Sequence, residues 1–204
     1  MSGKRKFKNP KKTYGHGLND ADYVTKVKSS GWVCPFFLTW KNMLKRAYSS
    51  AEHARRPSYI GTTICNEWMS FIAFKKWMEA QDWKGKQLDK DLLVPGNMEY
   101  RPDRCCFISH QVNSFLTDSE ATRGGLPIGV SLHKKTGKYV AQIQVCGVGK
   151  KHIGLFENHD HAHQAWLGEK HALSLILAGS EQDSRISTAL ATRYSSGYRR
   201  QVKS

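Results

Sequence analysis

Basic and amide side chains concentrate between residues 133 and 152, a stretch that contains no aspartate or glutamate. Lys135, Lys138 and Lys150 carry ammonium groups suited to phosphate oxygens. Gln142 and Gln144 lie two positions apart, so in a strand both project from one face and could hydrogen-bond to base edges. The pattern favours a nucleic-acid-binding surface; a polar sheet face exposed to water is the alternative.

The sequence around these side chains predicts three strands. Residues 139–145 alternate between a Tyr-Ala-Ile-Val set and a more polar set, which is typical of a half-buried strand. Further strands are predicted at 128–133 and 152–156, with turns at Thr136-Gly137 and at residues 147–149. These spacings predict an antiparallel sheet.

A helix should follow the sheet, with Asn158 as its N-cap and Gly179 at its end. Its apolar stripe consists of Ala162, Ala165, Trp166, Ala172, Leu173, Ile176 and Leu177. A single amphipathic helix covers one face of a three-stranded sheet and leaves the other face free.

Residues 128–178 resemble the plant APETALA2/ethylene-response DNA-binding domain, versions of which also occur in phage homing endonucleases. The resemblance is carried by Gly129-Val130-Ser131-Leu132-His133, by Gly137-Lys138-Tyr139-Val140-Ala141-Gln142-Ile143-Gln144, by Ile153-Gly154-Leu155-Phe156, and by the Ala-rich helix. It implies that the open sheet face lies in the major groove of double-stranded DNA.

Carried over by position, the resemblance implies a set of DNA-facing residues: Ser131, His133, Lys135, Lys138, Gln142, Gln144, Lys150 and His152. The plant family has Arg and Trp at several of these positions, where this chain has Ser131, His133, Gln144 and His152. We therefore expect weaker binding per site than in the plant proteins.

Two aromatic-rich helices are predicted earlier in the chain. Residues 36–48 place Phe37, Trp40, Met43, Leu44 and Ala47 at helical spacing. A second helix is predicted over 66–80, with a short strand at 59–65 before it. Beyond them a strand at residues 88–92, a turn-rich loop, a strand at 105–109 and a helix beginning near Ser109 predict a ββα unit.

The segment 34–116 resembles the HNH nuclease motif in the form found in phage proteins. The matching elements are Leu88-Asp89-Lys90-Asp91, Gly96-Asn97, Tyr100-Arg101-Pro102-Asp103-Arg104-Cys105 and Asn113, preceded by Thr39-Trp40-x-x-Met43-x-x-Arg46 and Cys65-x-Glu67-Trp68-x-x-Phe71. The resemblance implies hydrolysis of DNA phosphodiester bonds with Mg²⁺ or another divalent cation. Asp89 and Asn113 would bind the metal, and Asn97 or Asp103 would orient the loop.

Lys90 occupies the position where the family has its general-base histidine. An ordinary lysine is protonated at neutral pH and cannot accept a proton. His110, near the end of the second strand, is the best substitute base in the sequence. The alternatives are a homing-type endonuclease that uses His110 or metal-bound hydroxide, a non-catalytic DNA-binding protein with Lys90 on phosphate, and an RNA-associated basic protein. Turn and cap chemistry explains Asp89 and Asn113 equally well.

The overall charge agrees with a nucleic-acid partner. Thirty-two Lys and Arg residues stand against 17 Asp and Glu, a formal net charge of +15. Such a chain attracts polyanions through counterion release; a solvated basic surface or a membrane-surface binder is the alternative. The sequence has no apolar run long enough to span a membrane and no apparent signal peptide. We expect a phage protein located in the host cytoplasm.

The cysteines and histidines favour no metal centre. The five cysteines form no Cys-x-x-Cys pair, which suits free thiols in a reducing compartment. Zinc binding by Cys34, Cys65 and one of Cys105 or Cys106 is the alternative. The histidines at 159, 161 and 163 are expected to be surface residues; the alternative is a metal bound by His159 and His163, which share a helix face.

The expected fold class is therefore α+β: an HNH-like ββα unit with flanking helices, and a small three-stranded antiparallel sheet packed on one helix. The expected organisation is a basic flexible arm (1–31), a nuclease-type domain (32–117), a linker (118–127), a DNA-binding domain (128–179) and a basic tail (180–204). The sequence leaves the oligomeric state open.

Overall fold

The computed structural model describes residues 12–117 and 125–195. The protein has the mixed α+β fold that the sequence predicts. It divides into two compact units, Met1–Phe107 and Ile108–Ser204. Within the described ranges, every helix falls short of the length and hydrophobicity that a membrane crossing requires.

From residue 12 onwards, the first unit contains three α-helices and four short strands. In chain order they are α1 (Pro35–Tyr48), α2 (Ser50–Arg55), β1 (Thr63–Ile64), α3 (Phe71–Glu79), β2 (Gln87–Asp89), β3 (Glu99–Tyr100) and β4 (Cys106–Ile108), whose last residue begins the second unit. β1 and β3 pair in parallel, and β2 pairs with β4. The order of strand, loop, strand and helix predicted after residue 87 is present.

Helix α1 confirms the periodicity read from the sequence. Its buried residues are the predicted five: Phe37, Trp40, Met43, Leu44 and Ala47. The Trp40 indole N–H donates to the Trp68 carbonyl at 2.7 Å, which satisfies a polar group in the middle of this aromatic core.

The predicted helix over 66–80 is wrong in its first half. Asn66–Met69 forms a 3₁₀ turn, and α3 starts at Phe71 with Ser70 as its N-cap. The Ser70 hydroxyl accepts from the Ala73 N–H at 3.1 Å and donates to Asp20 at 2.6 Å. A serine that caps the next helix interrupts the preceding turn, although the aromatic spacing continues across it.

The predicted flexible arm over 1–31 is also wrong for its second part. Leu18 joins the core through two backbone hydrogen bonds, to the Met69 carbonyl at 2.7 Å and from the Phe71 N–H at 3.0 Å. Gly17 lies so close to α1 that an added Cβ would be 2.4 Å from Leu44. Residues 12–31 therefore fold onto the first unit, and residues 1–11 lie outside the described ranges.

The second unit contains the predicted antiparallel sheet. Its elements are α4 (His110–Leu116), β5 (Val130–Leu132), β6 (Tyr139–Val145), β7 (Gly149–Phe156), α5 (His159–Ser180) and α6 (Ser184–Arg193). The strands lie in the order β5-β6-β7, and all neighbours are antiparallel. Ser109 caps α4, and Asn158 caps α5 as predicted.

One face of this sheet is packed against α5. Val130, Ala141 and Ile143 are buried there against Trp166 and Ala162. The backbone at Gly129 adopts φ +80°, and an added Cβ would lie 2.0 Å from the Trp166 ring. Glycine is therefore required at this position both for its backbone conformation and for its size.

The predicted apolar stripe of α5 is wrong in its C-terminal half. Lys170 and Ser174 are buried, whereas Ile176 remains 69% exposed. The Ser174 hydroxyl donates to the Leu190 carbonyl at 2.7 Å, and the Lys170 ammonium donates to the Phe115 carbonyl of α4. The contacts with α4 and α6 therefore determine which side of the C-terminal half of α5 is buried.

The predicted basic tail over 180–204 begins with an ordered helix. α6 buries Ile186 and Leu190. Helix α4 also packs in the second unit, although the sequence placed it in the nuclease-type domain. Of the predicted linker and tail, residues 118–124 and 196–204 lie outside the described ranges.

Candidate functional site

The face of the β5-β6-β7 sheet opposite α5 presents a row of cross-strand pairs, here termed the open face. Gln142 pairs with His152, and Gln144 pairs with Lys150. Because directly opposed residues of antiparallel strands project to the same side, each pair presents two polar side chains together. Their neighbours Ala141 and Ile143 are buried against the helix, which fixes the orientation of the pairs.

Adjacent lysines of β7 point to opposite sides of the sheet. Lys151 opposes buried Ile143 and forms an ion pair with Glu169 of α5 at 2.7 Å. Lys150 opposes exposed Gln144 on the open face. The strand alternation therefore places Lys151 against the protein's own helix and leaves Lys150 exposed on the open face.

An apolar patch lies beside the polar pairs and was missed at the level of sequence. Ser131, Val140 and Leu155 face one another across the three strands, and Leu155 is 49% exposed. The signal was available, because Val140 alternates in phase with Gln142 and Gln144. Aliphatic side chains on a groove-binding surface are suited to the thymine methyl group.

The hairpin end of the sheet is only partly as expected. Lys138, predicted to face DNA, forms an ion pair with Glu157 at 2.5 Å. His133 contacts the Thr136 hydroxyl at 2.8 Å, within a turn that leaves Lys135 exposed. Glu157 follows the acid-free stretch 133–152 in the sequence, and the pairing of β6 with β7 brings its carboxylate next to the Lys138 ammonium.

In the first unit, Asp89 stabilises a turn. Its Oδ1 atom accepts hydrogen bonds from the Asp91 N–H at 2.9 Å and the Leu92 N–H at 2.7 Å. This is the local turn chemistry that aspartate favours. The structure thus gives one carboxylate oxygen of Asp89 a structural role, and metal binding by Asp89 stays a prediction.

Lys90 is buried and hydrogen-bonded within its own loop. It is 4% exposed, and its ammonium donates to Asp91 Oδ1 at 2.6 Å and to the Asn97 carbonyl at 2.8 Å. A buried cation is tolerated when it is paired and hydrogen-bonded in this way. An ammonium that donates to two acceptors holds the loop and has no lone pair with which to activate water.

Asn97 holds the same loop from the other side. Its amide nitrogen donates to the Lys90 carbonyl at 2.8 Å and to the Glu99 carbonyl at 2.7 Å. Its oxygen accepts from the Glu99 N–H at 3.2 Å and from Arg104 at 3.3 Å. Asp103, the other residue expected to orient the loop, instead pairs with Arg101 at 2.6 Å, which lowers the pKa of Asp103.

His110 and Asn113 lie on α4 in the second unit, whereas Asp89 and Lys90 lie in the first. The Asn113 N–H donates to the Ser109 carbonyl at 2.9 Å, and its own carbonyl accepts from the Thr117 hydroxyl at 2.9 Å. These backbone contacts fix the first and last turns of α4. The roles of His110 as base and Asn113 as metal ligand stay predictions.

Among residues 12–117 and 125–195, no group of three or more His, Cys, Asp or Glu side chains lies close enough together to hold a metal ion. All five cysteines are free thiols. Burial raises the pKa of Cys105 to about 12. His163 contacts the Ile128 carbonyl at 3.0 Å and stacks on Trp166, so packing explains it.

No protein-family model, no curated protein and no solved structure matches this chain. The two resemblances given above therefore rest on their motifs, and the candidate functions rest on the geometry of the sheet and of the Asp89 loop.

Proposed function

We propose that this chain binds double-stranded DNA and reads it with the open face of the β5-β6-β7 sheet. The observation that carries the proposal is the pair of cross-strand contacts, Gln142 with His152 and Gln144 with Lys150, on the side not covered by α5. Glutamine amides match the donor and acceptor edge of adenine, and a β-ribbon fits the major groove, which is about 12 Å wide.

Different side chains of the open face would contact different parts of the DNA. Lys150 contacts phosphate, the two glutamines contact base edges, and Val140 with Leu155 contacts thymine methyl groups. The net charge of +15 supplies the attraction that is independent of sequence. A duplex of RNA presents a deep, narrow major groove, so the same face should discriminate against it.

The adjacent lysines of β7, Lys150 and Lys151, allow a matched test. In duplex-DNA titrations followed by fluorescence anisotropy, Lys150→Gln should weaken binding several-fold. It should also reduce the slope of the logarithm of affinity against the logarithm of salt concentration by about one. Lys151→Gln removes the same charge from the helix side and should bind as the parent does. Equal effects of the two substitutions, or equal affinity for duplex RNA, would contradict the proposal.

A second candidate function is metal-dependent hydrolysis of DNA, of the homing-endonuclease type. It is favoured by the order of strand, loop, strand and helix, and by Asp89 at the end of β2. By the HNH resemblance, Asp89 would supply a ligand to Mg²⁺, which would polarise the scissile phosphate. Because the Lys90 ammonium is hydrogen-bonded within the loop, the attacking water would be activated by the metal ion rather than by Lys90.

Asp89→Asn tests this candidate without destroying the turn. The amide oxygen still accepts from the two N–H groups, while the negative charge needed for the metal is lost. Nicking of supercoiled DNA in Mg²⁺ or Mn²⁺ by the parent but not by this variant supports an endonuclease. Absence of nicking with either metal supports the alternative, a catalytically inactive DNA-binding protein derived from an HNH nuclease.

A further inference from the structure

A second basic surface lies in the first unit, on the side formed by the last turn of α1 and by α2. It encloses a cavity of about 320 Å³, here termed the cation pocket, which is lined by Asn42, Lys45, Arg46, Glu52, Arg55 and Arg56. Four of these six side chains are cations and one is an anion. The volume lies at the lower end of the range of small-ligand sites.

Glu52 is the centre of the cation pocket. Its side chain is 7% exposed, and its carboxylate lies 2.9 Å from Lys45, 2.8 Å from Arg55 and 3.6 Å from Arg56. The hydrogen bond from Lys45 lowers the pKa of Glu52, which is therefore an anion at neutral pH. One carboxylate thus gathers three cations whose combined charge it cannot neutralise.

The donors of the cation pocket also exceed what Glu52 can accept. Each guanidinium carries five N–H donors and an ammonium carries three, whereas a carboxylate offers about four acceptor sites. Arg55 and Arg56 are 66% and 59% exposed at their side chains, so their outward donors can reach a solute. A concave, positively charged site with planar guanidinium groups matches a phosphate group.

Arg46 links the cation pocket to strand β2. The Arg46 guanidinium donates to the Leu88 carbonyl at 3.4 Å and lies over the Tyr59 ring at 5.7 Å. Leu88 immediately precedes Asp89 in β2. One lining residue of the cation pocket therefore contacts the strand that carries the candidate metal ligand.

We propose that the cation pocket binds a phosphate of the nucleic-acid backbone and gives the protein a DNA contact separate from the open face. This inference deepens the DNA-binding function proposed above and rests on it for the identity of the ligand. The competing interpretation is an ion-pair network that only stabilises α2.

The main test uses the full chain and two variants of equal charge. Arg55→Gln/Arg56→Gln alters the cation pocket, while Lys28→Gln/Lys84→Gln removes two exposed charges elsewhere in the first unit. On duplex DNA, the pocket variant should lose roughly tenfold in affinity and make the salt slope shallower by about 1 to 2. The control should lose at most a few-fold. Equal losses would overturn the inference.

A second measurement separates this inference from the open face. Inorganic pyrophosphate is titrated against the parent and both variants while thermal unfolding is followed, because a ligand of the native state raises Tm. Stabilisation of the parent and the control, lost in the pocket variant, supports a phosphate site. No stabilisation of the parent overturns it. If pyrophosphate binds in this way but duplex DNA does not, the open-face proposal fails, and the cation pocket stands as a phosphate site whose DNA-contact role is overturned.

The single variants guard against a folding defect. Arg55→Gln and Arg56→Gln each leave Lys45 and one arginine on Glu52, and each should show part of the loss in affinity. Unfolding by urea checks that each variant is folded under the conditions of the binding measurements. A loss of stability without a loss of pyrophosphate binding would assign the cluster to α2 alone.

Discussion

Lys90 and Asn97 each donate a side-chain hydrogen bond to the backbone carbonyl of the other, at 2.8 Å in both directions. The exchange closes the loop between β2 and β3 and is completed by the ion pair of Lys90 with Asp91. Lys90 is therefore a buried structural cation of this loop. Its two hydrogen bonds and those of Asn97 hold the loop in shape.

Removal of the ammonium should open this loop. Lys90→Met keeps the aliphatic bulk but leaves the Asn97 carbonyl without its donor, so the free energy of unfolding should fall by about 1–3 kcal/mol. Lys84→Met, at an exposed position, should change it by less than about 0.5 kcal/mol. Urea unfolding measures both. Unchanged stability combined with lost DNA binding would instead make Lys90 a phosphate contact.

The close approach of Gly129 to Trp166 predicts a strong effect in the second unit. Gly129→Ala introduces a Cβ at 2.0 Å from the ring and strains a backbone at φ +80°, so stability should fall by at least about 2 kcal/mol. Gly137→Ala has a similar φ of +71° with open space around it, and should lose about 1 kcal/mol. Equal losses in urea unfolding would show that the contact with Trp166 is irrelevant.

The thiols should differ widely in reactivity. Cys146 is exposed, Cys34 and Cys106 are buried, and burial raises the pKa of Cys65 and, to about 12, that of Cys105. Because the thiolate is the reactive form, a disulfide reagent should titrate one thiol rapidly in the folded protein and five after unfolding. Cys146→Ser should abolish the rapid phase. If a zinc chelator increased the number of rapid thiols, the zinc hypothesis would regain support.

The pH dependence of stability should contain a contribution from Glu52. Its pKa is lowered from the ordinary 4.5, chiefly by the hydrogen bond from Lys45, so its ion pairs stabilise the protein fully above that value. The contribution is lost as the pH falls through the lower pKa of the folded state. Glu52→Gln should therefore flatten the acid limb of the urea stability profile. An unchanged profile would mean that Glu52 is not paired.

The parts of the fold that depend on local periodicity could be predicted from the sequence. The buried residues of helix α1 recur at helical spacing, and those of strand β6 alternate along the strand, because each element buries one face. The burial of Lys170 and Ser174 could not be predicted, because their partners, the Phe115 and Leu190 carbonyls, come from distant elements. Helix α6 was missed because only two of its residues are buried.

The candidate sites could likewise be predicted only where local strand register determines them. The pairing of Gln142 with His152 follows from hairpin register, which the turns and alternation specify. The roles of Lys90 and Asn97 depend on how their loop closes, which sequence patterns do not specify. The cation pocket depends on the angle between α1 and α2, and helix α2 was not predicted from the sequence. In both places charged residues share partners that sequence patterns do not specify.

The most direct test of the central claim is the selection of binding sites from a random duplex library by the parent and by Gln142→Ala/Gln144→Ala. If the open face reads bases, the parent enriches a defined motif, and the double variant loses preference at adjacent positions while it retains non-specific affinity. Enrichment of the same motif by both proteins, or of no motif by the parent, would contradict the account.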